Sequence, residues 1–430
     1  MNESNIKPNG LALLPILVFL VLFLGTGIIL KDFYTMPAVV GFLIALIVAF
    51  LQTRGKTFNE KFSIVARGVG DENIITMCLI FLAAGAFSGS VSAAGGVDST
   101  VNLGLSLLPP SIAVIGLFVI GCFISISMGT SVGTITALVP IAVGISEKTG
   151  FAMAICVGAV VSGAMFGDNL SMISDTTIAA VRTQGCEMKD KFKRNFLIVL
   201  PAAIVTIIVL FILTHGSKFN MTGTLDYNIF QVIPYLLVLI TAIIGINVFI
   251  VLISGTVLSV IVGIATGAMA PSAVFTSIGT GVTGMYDITV ISILVAAISA
   301  LVKQNGGFAF ILEKIHNHVH TYKGAEFGVA ALISLVDAAT ANNTVAIVIA
   351  GPIAKEISED YDIEPSRSAS LLDMFASVFQ GIIPYGAQLL TAAALSGLTP
   401  FAIIPYLFYP YLMAVCGIVS ILLPQRKRKK

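Results

Sequence analysis

The chain has 430 residues, 57% of them hydrophobic and 10% charged, with a formal net charge of +1 and a mean hydropathy of +1.01. Soluble domains carry about 25% charged residues, so a water-facing surface of ordinary size is excluded, and the near-neutral balance excludes nucleic acid as a partner. Apolar runs long enough to cross about 30 Å of hydrocarbon recur without the alternation of a barrel, which leaves an all-α polytopic membrane protein in contact with lipid.

The first apolar run, Leu11–Leu30, is long for a signal peptide, lacks a convincing cleavage site and leads into another span. Residues 1–35 therefore read as a retained N-terminal transmembrane helix. Met36–Gln52 follows, then a loop carrying Arg54, Lys56, Lys61 and Arg67, then Asn73–Val91. Loops rich in Lys and Arg stay in the cytoplasm. Pro109–Met128 and Thr134–Ile145 enclose the polar stretch Gly129-Thr-Ser-Val-Gly-Thr, which predicts a re-entrant hairpin with its tip at Gly129–Thr134. Phe151–Phe166 and Ser171–Val181 predict one spanning helix broken near Gly167–Ser171. Arg182, Lys189, Lys191, Lys193 and Arg194 are expected in a cytoplasmic loop before Asn195–Thr214, the last span of a first repeat over residues 36–214.

Residues 215–248 read as a linking loop and helix, and a second repeat fills residues 249–424. There, Phe249–Met269 and Asp287–Val302 lead to a loop with Lys303, Lys314 and Lys323. A second tip, Ala339-Thr-Ala-Asn-Asn-Thr, lies between Glu326–Ala338 and Thr344–Ile357. A second break, near Gly381–Gly386, lies between Ser368–Phe379 and Ala387–Leu395. Pro400–Leu423 then reaches a basic tail, residues 425–430, expected to anchor in the cytoplasm.

The two tip-and-break pairs look like worn copies of each other, and their flanking charges differ. After the first pair the chain meets a basic stretch; after the second, Ser396–Pro400 is uncharged. Before the first pair, Asp98–Pro110 has no Lys or Arg; before the second, the loop is basic. Equivalent points face opposite sides, which predicts two inverted-topology repeats with four converging breaks. Both termini are expected on the cytoplasmic side of a cell (inner) membrane.

Asp168, Asp175, Asp337 and Asp373 stand in otherwise apolar stretches. An ionised carboxylate there costs about 2.5–3.5 kcal/mol and marks an ion or proton pathway by default. Asp337 and Asp373 equally suit a helix cap or a span end, and Asp373 the cytoplasmic entrance. Asp168 and Asp175 come with Asn169, Ser171, Ser174, Thr176 and Thr177, the hard oxygen donors that suit Na+ held at Asp168 and Asp175. The tips add Thr130, Ser131 and Thr134 on one side and Thr340, Asn342, Asn343 and Thr344 on the other. Close helix packing accounts for Gly129 and Gly133 but poorly for two consecutive asparagines. Gln380 and Tyr385 in the second break are secondary candidates. Desolvation favours a neutral carboxyl and a bound cation an ionised one, so one buried Asp holds a proton or a cation, not both. Asp168 is the first candidate for that exchange and Asp175 the second.

Other features carry less. Cys78, Cys122, Cys156 and Cys416 lie in apolar segments and Cys186 in a polar one, without disulfide or zinc spacing. His316, His318 and His320 read as a solvated turn, and Gly279–Gly284 has no nucleotide-binding pattern. Nothing points to an enzyme or to a cofactor beyond transported ions.

Gly129-Thr-Ser-Val-Gly-Thr, followed by Ser162-Gly-Ala-Met-Phe-Gly-Asp-Asn-Leu-Ser-Met-Ile-Ser-Asp-Thr-Thr, resembles the signature of the NhaC-type sodium/proton antiporter family. That family belongs to the ion-transporter superfamily that includes divalent-anion/sodium symporters, and Asn342-Asn-Thr is similar to their Ser-Asn-Thr-type hairpin motif. The resemblance runs from about the third span to the end of the chain. It implies secondary transport driven by cation gradients, two inverted repeats, a homodimeric assembly, and an ion site at Asp168, Ser171, Ser174, Asp175 and Thr176. Met172 stands where many relatives have Pro, and Gln380-Gly-Ile-Ile-Pro-Tyr-Gly replaces a second Asp-rich break. Some relatives exchange malate and lactate or carry amino acids, so the resemblance leaves the substrate open. The expected function is Na+/H+ antiport by alternating access. The alternative is a Na+- or H+-coupled carrier of a small carboxylate or amino acid held by Thr130, Ser131, Asn342 and Asn343. No Lys or Arg is read beside either motif within the membrane, which favours a bare cation.

Overall fold

The computed structural model describes residues 7–30, 36–107, 109–172, 174–215, 225–244, 246–316 and 320–423. The basic tail, residues 425–430, and His318 lie outside the described residues. Among those described, the chain is helical without strands.

The first half runs through α1 (Leu14–Leu30), α2 (Ala38–Gln52), α3 (Phe58–Val69), α4 (Glu72–Ala93) and α5 (Gly96–Leu107). It continues with α6 (Pro110–Met128), α7 (Ser131–Thr149), α8 (Met153–Leu170), α9 (Asp175–Gln184) and α10 (Met188–Thr214). The second half runs through α11 (Ile229–Ile243), α12 (Val248–Ala265), α13 (Val274–Thr283), α14 (Tyr286–Gln304) and α15 (Gly307–His316). Then come α16 (Tyr322–Thr340), α17 (Asn343–Asp360), α18 (Pro365–Ile382), α19 (Ala387–Ser396), α20 (Pro400–Ile403) and α21 (Phe408–Leu422). Among the described residues, 6 helices are long and apolar enough to cross a membrane, or 8 if each of 2 bent pairs is one span. The fold is that of an all-α polytopic membrane protein.

The order of elements repeats. α6 to α10 and α16 to α21 each comprise two long helices joined at a tip, a long helix interrupted before a short one, and a closing span. Backbone conformation repeats with it. Gly55 and Gly267, Gly129 and Ala341, Gly150 and Asp362, and Gly185 and Gly397 all have positive φ, and each pair stands the same distance apart in sequence. Packing is reciprocal too: α7 lies against α19, and α17 against α9, so each half places a hairpin arm on the other half's interrupted helix.

Both tips turn on the left-handed region, which costs a non-glycine residue about 1–2 kcal/mol. Gly129 adopts φ 68° there and Ala341 φ 49°. The next residue caps the following helix in each case: Thr130 accepts from the Gly133 N–H, and Asn342 from the Val345 N–H at 3.0 Å. Gly129 is thus favoured by the conformation of its turn. Gly133 does pack closely, against Thr130 and Val248. The helix breaks fall between Leu170 and Asp175 and between Ile382 and Ala387.

Small residues set the tightest helix contacts. A methyl group on Gly163 or Gly167 of α8 would collide with the backbone of α6, at Phe118 and Cys122. Gly85 and Gly89 of α4 likewise meet the backbone of Gly281 and Ser277 on α13. These are the small-x-x-x-small contacts by which membrane helices gain van der Waals packing without a hydrophobic driving force.

One segment differs from its expected form. Lys189, Lys191, Lys193 and Arg194 lie in the first two turns of α10 rather than in a loop. Lys191 is only 1% exposed, because it extends the inward stripe of Asn195, Val199, Ala202, Thr206 and Leu210 by one helical turn. Its basic neighbours fall on other faces.

Candidate functional site

The two tips and the two breaks meet around a cavity of about 360 Å³. Thr130, Ser131, Asn342, Asn343 and Thr344 line it from the tips, Asp168 and Asp175 from either side of the first break, and Gln380 and Gln388 from either side of the second. Glu72 and Thr76 of α4, and Asn247 before α12, complete the polar lining.

Asp168, in the last turn of α8, is 3% exposed and held by the first tip and the far side of the first break. Its Oδ2 accepts from Ser131 Oγ at 2.9 Å and its Oδ1 from Ser174 Oγ at 2.7 Å. Ser174 Oγ also lies 2.7 Å from Thr176 Oγ1. Ser131 Oγ accepts in turn from Gln388 Nε2 at 3.0 Å, and Gln388 Oε1 accepts from Gln380 Nε2 at 2.7 Å. A hydrogen-bonded chain therefore joins the two breaks through Asp168. Asp175 opens α9, is exposed, and accepts from its neighbour Thr176 N–H at 3.0 Å. Its other oxygen accepts from Thr344 Oγ1 at 2.8 Å, which ties the first break to the second tip.

The remaining candidates make other contacts. Thr134 and Thr340 donate to carbonyls of their own helices, at Thr130 and Val336, each at 2.9 Å. Ser171 Oγ donates to the Ile126 carbonyl at 2.6 Å, pinning the first break to α6. Asn343 uses its Oδ1 on the Thr344 N–H at 3.1 Å, while its buried Nδ2 has no partner. Tyr385 donates to the Ala338 carbonyl at 2.7 Å. Asp337 is buried on α16, with neither oxygen hydrogen-bonded.

Asn169, Thr177 and Asp373 form a second cluster, organised by Lys191. The Lys191 ammonium donates to the Asn169 carbonyl at 2.8 Å, to Thr177 Oγ1 at 3.0 Å and to Asp373, with which it forms a buried ion pair. Asn195 donates to Asn169 Oδ1 at 3.0 Å, and Asn169 to Ser377 Oγ at 3.4 Å. The expectation of no basic side chain beside a motif is thus corrected: Lys191 abuts the first break, while Arg367, in the first turn of α18 and away from both motifs, is buried against Glu326 at 2.7 Å. Both cations are spent on carboxylates. Asp373 sits in the interior of α18 and is buried.

Gln388, Glu72, Thr76 and Asn247 were not singled out from sequence. Gln388 had a signal, since the second half places it where the first half has Thr176, one position into the short helix after the break.

The sequence model of the Na+/H+ antiporter family matches residues 8–216 and again residues 212–424. The chain is similar to the Na(+)/H(+) antiporter NhaC of Bacillus subtilis (strain 168), 24% identical over 416 residues, 86% of this chain and 90% of that protein. It is similar to the Malate-2H(+)/Na(+)-lactate antiporter of Bacillus subtilis (strain 168), 26% identical over 243 residues, 53% of this chain and 52% of that protein. It is also similar to the Arginine/ornithine antiporter ArcD of Halobacterium salinarum (strain ATCC 700922 / JCM 11081 / NRC-1), 24% identical over 452 residues, 95% of this chain and 91% of that protein. With paired tips, interrupted helices and a carboxylate-lined cavity already in place, a match repeated over both halves makes the chain a member of the Na+/H+ antiporter family.

Proposed function

We propose that the protein exchanges sodium ions for protons across the cell membrane by alternating access, with Asp168 as the coupling carboxylate. The observation that carries this reading is the charge of the cavity. Its described lining includes the carboxylates of Glu72, Asp168 and Asp175 and no Lys, Arg or His. Such a lining draws cations and repels carboxylates.

Asp168, Asp175, Ser131, Ser174, Thr176 and Thr344 supply the oxygen donors. The serines donate to Asp168 in the state described, and rotation of their hydroxyls presents lone pairs to a cation instead. Sodium is the cargo and needs no cofactor beside it. Proton and sodium compete for one dehydrated carboxylate, which couples the two fluxes. The halves are proposed to be related by inversion across the membrane, with both termini cytoplasmic. The basic residues Arg54, Lys56, Arg67, Lys303 and Lys323 support that orientation. A homodimer is the proposed assembly.

One observation favours a second reading. A cavity of about 360 Å³ exceeds the needs of a bare ion and falls within the range of about 300–1,000 Å³ typical of small-molecule sites. Two similar proteins are named for organic solutes, malate and lactate in one and arginine and ornithine in the other. Transport in proteoliposomes decides between the readings. Alkalinisation or acidification of the lumen driven by a sodium gradient alone supports antiport; flux that requires malate, lactate or an amino acid supports the second reading. Asp168→Asn is expected to abolish coupled exchange with unchanged expression, and retained exchange removes Asp168 from the mechanism.

A further inference from the structure

The same spacing that pairs Gly129 with Ala341 pairs Ser125 with Asp337 and Asp168 with Gln380. Ser125 and Asp337 each precede their tip by one helical turn, and their carbonyls accept from the N–H groups of Gly129 and Ala341 respectively. Asp168 and Gln380 each occupy the last turn before a break. The first half therefore has a hydroxyl on the hairpin arm and a carboxyl on the interrupted helix. The second half has the carboxyl on the arm and a neutral amide on the interrupted helix.

The two arms are not satisfied alike. Ser125 Oγ donates to the Ala164 carbonyl at 2.6 Å. Asp337, wholly buried, has both oxygens without a hydrogen-bond partner, and the buried Oε1 of Gln380 lacks one as well. The donors nearby are committed elsewhere: Tyr385 to Ala338, Thr340 to Val336 and Gln380 Nε2 to Ala341 and Gln388. The backbone N–H of Gln380 approaches the carboxyl, and Tyr385 is the titratable neighbour in electrostatic reach. A carboxylate so enclosed, with these neighbouring side-chain donors committed elsewhere, calls for a cation, and the smallest is a proton.

We propose that Asp337 is a second proton-carrying residue, belonging to the second half as Asp168 belongs to the first. It holds its proton in the state described and gives it up to water in the rearranged state that follows sodium binding, where water replaces the missing hydrogen bonds of the carboxylate, so that each turnover moves one proton more than the Asp168 site alone. This rests on the reading that Asp168 couples the exchange.

The test counts protons released per sodium ion bound by the purified full-length protein in weakly buffered detergent. The reversal potential of exchange in proteoliposomes gives the same ratio during transport. Asp337→Asn and Asp337→Ser, the latter restoring the residue found at the equivalent place, are each expected to release one proton fewer than the wild type while still binding sodium. A wild-type count in either variant overturns the proposal and leaves Asp168 untouched. Loss of sodium binding in Asp168→Asn, with the reduced count in Asp337→Asn, supports both readings. Sodium-coupled exchange retained in Asp168→Asn overturns the underlying reading instead. If neither Asp337 variant folds, a wild-type count of one proton per sodium overturns the proposal on its own.

Discussion

Lys191 shows how one side chain can be both charged and structural. Its three N–H groups meet three acceptors, the Asn169 carbonyl, Thr177 Oγ1 and Asp373, leaving no donor free for a solute. Removing one member of a buried pair strands the other, at a cost of about 3–5 kcal/mol. Lys191→Met is therefore expected to lower the thermal unfolding midpoint in detergent sharply, and adding Asp373→Leu should recover most of the loss. Ser131 is the contrasting case, since it touches Asp168 directly. A hydrogen bond to a charged group contributes about 1.5–3 kcal/mol. Ser131→Ala should therefore raise the sodium concentration for half-maximal exchange by roughly tenfold or more. Asp168, Asp175, Asn342 and Asn343 were legible because polar residues stand out in apolar sequence. Lys191 was not, because three basic neighbours made it look like one more charge in a loop.

The tips form the same turn from different residues. Gly129→Ala places a methyl group in left-handed backbone and should cost about 1–2 kcal/mol, whereas Ala341→Gly relieves that strain and should be neutral to stabilising. Unfolding midpoints of the two variants, measured side by side, check the asymmetry. The sequence located both tips and both breaks, since clusters of Gly, Ser, Thr and Asn interrupt apolar runs there. It placed the first break a few residues early, because Gly167 and Asp168 look like helix breakers. In the structure Gly167 instead lets α8 continue against the backbone of α6. Helix α3 was read as loop for a related reason: its charges hid a capped helix, opened by Thr57 with Glu60 reaching back.

Across the whole molecule, competition between ions has a simple signature. If one proton competes with one sodium ion, the half-saturating sodium concentration rises about tenfold for each unit of pH below the carboxyl's titration range. Initial rates over a matrix of sodium and pH values check this, and a sodium requirement indifferent to pH would rule out a shared site. The duplication itself was visible in outline from the motifs. Its extent became clear only from backbone conformation, because the paired positions hold different residues at Ala341 and Asp362.

The glycine contacts between α4 and α13 have a mechanical consequence. Backbones that touch without intervening side chains seat α13 closely on α4, α12 packs along α4 as well, and the three form one panel, whereas α4 meets α7 far more lightly. The ion chamber lies along the seam between that panel and the tips, with Thr76 on one bank and Thr130 on the other. A carrier built this way is expected to move at the seam rather than within the panel. Bridging Thr76→Cys to Thr130→Cys with a cleavable linker, in a cysteine-free background, should therefore arrest exchange until the linker is cut.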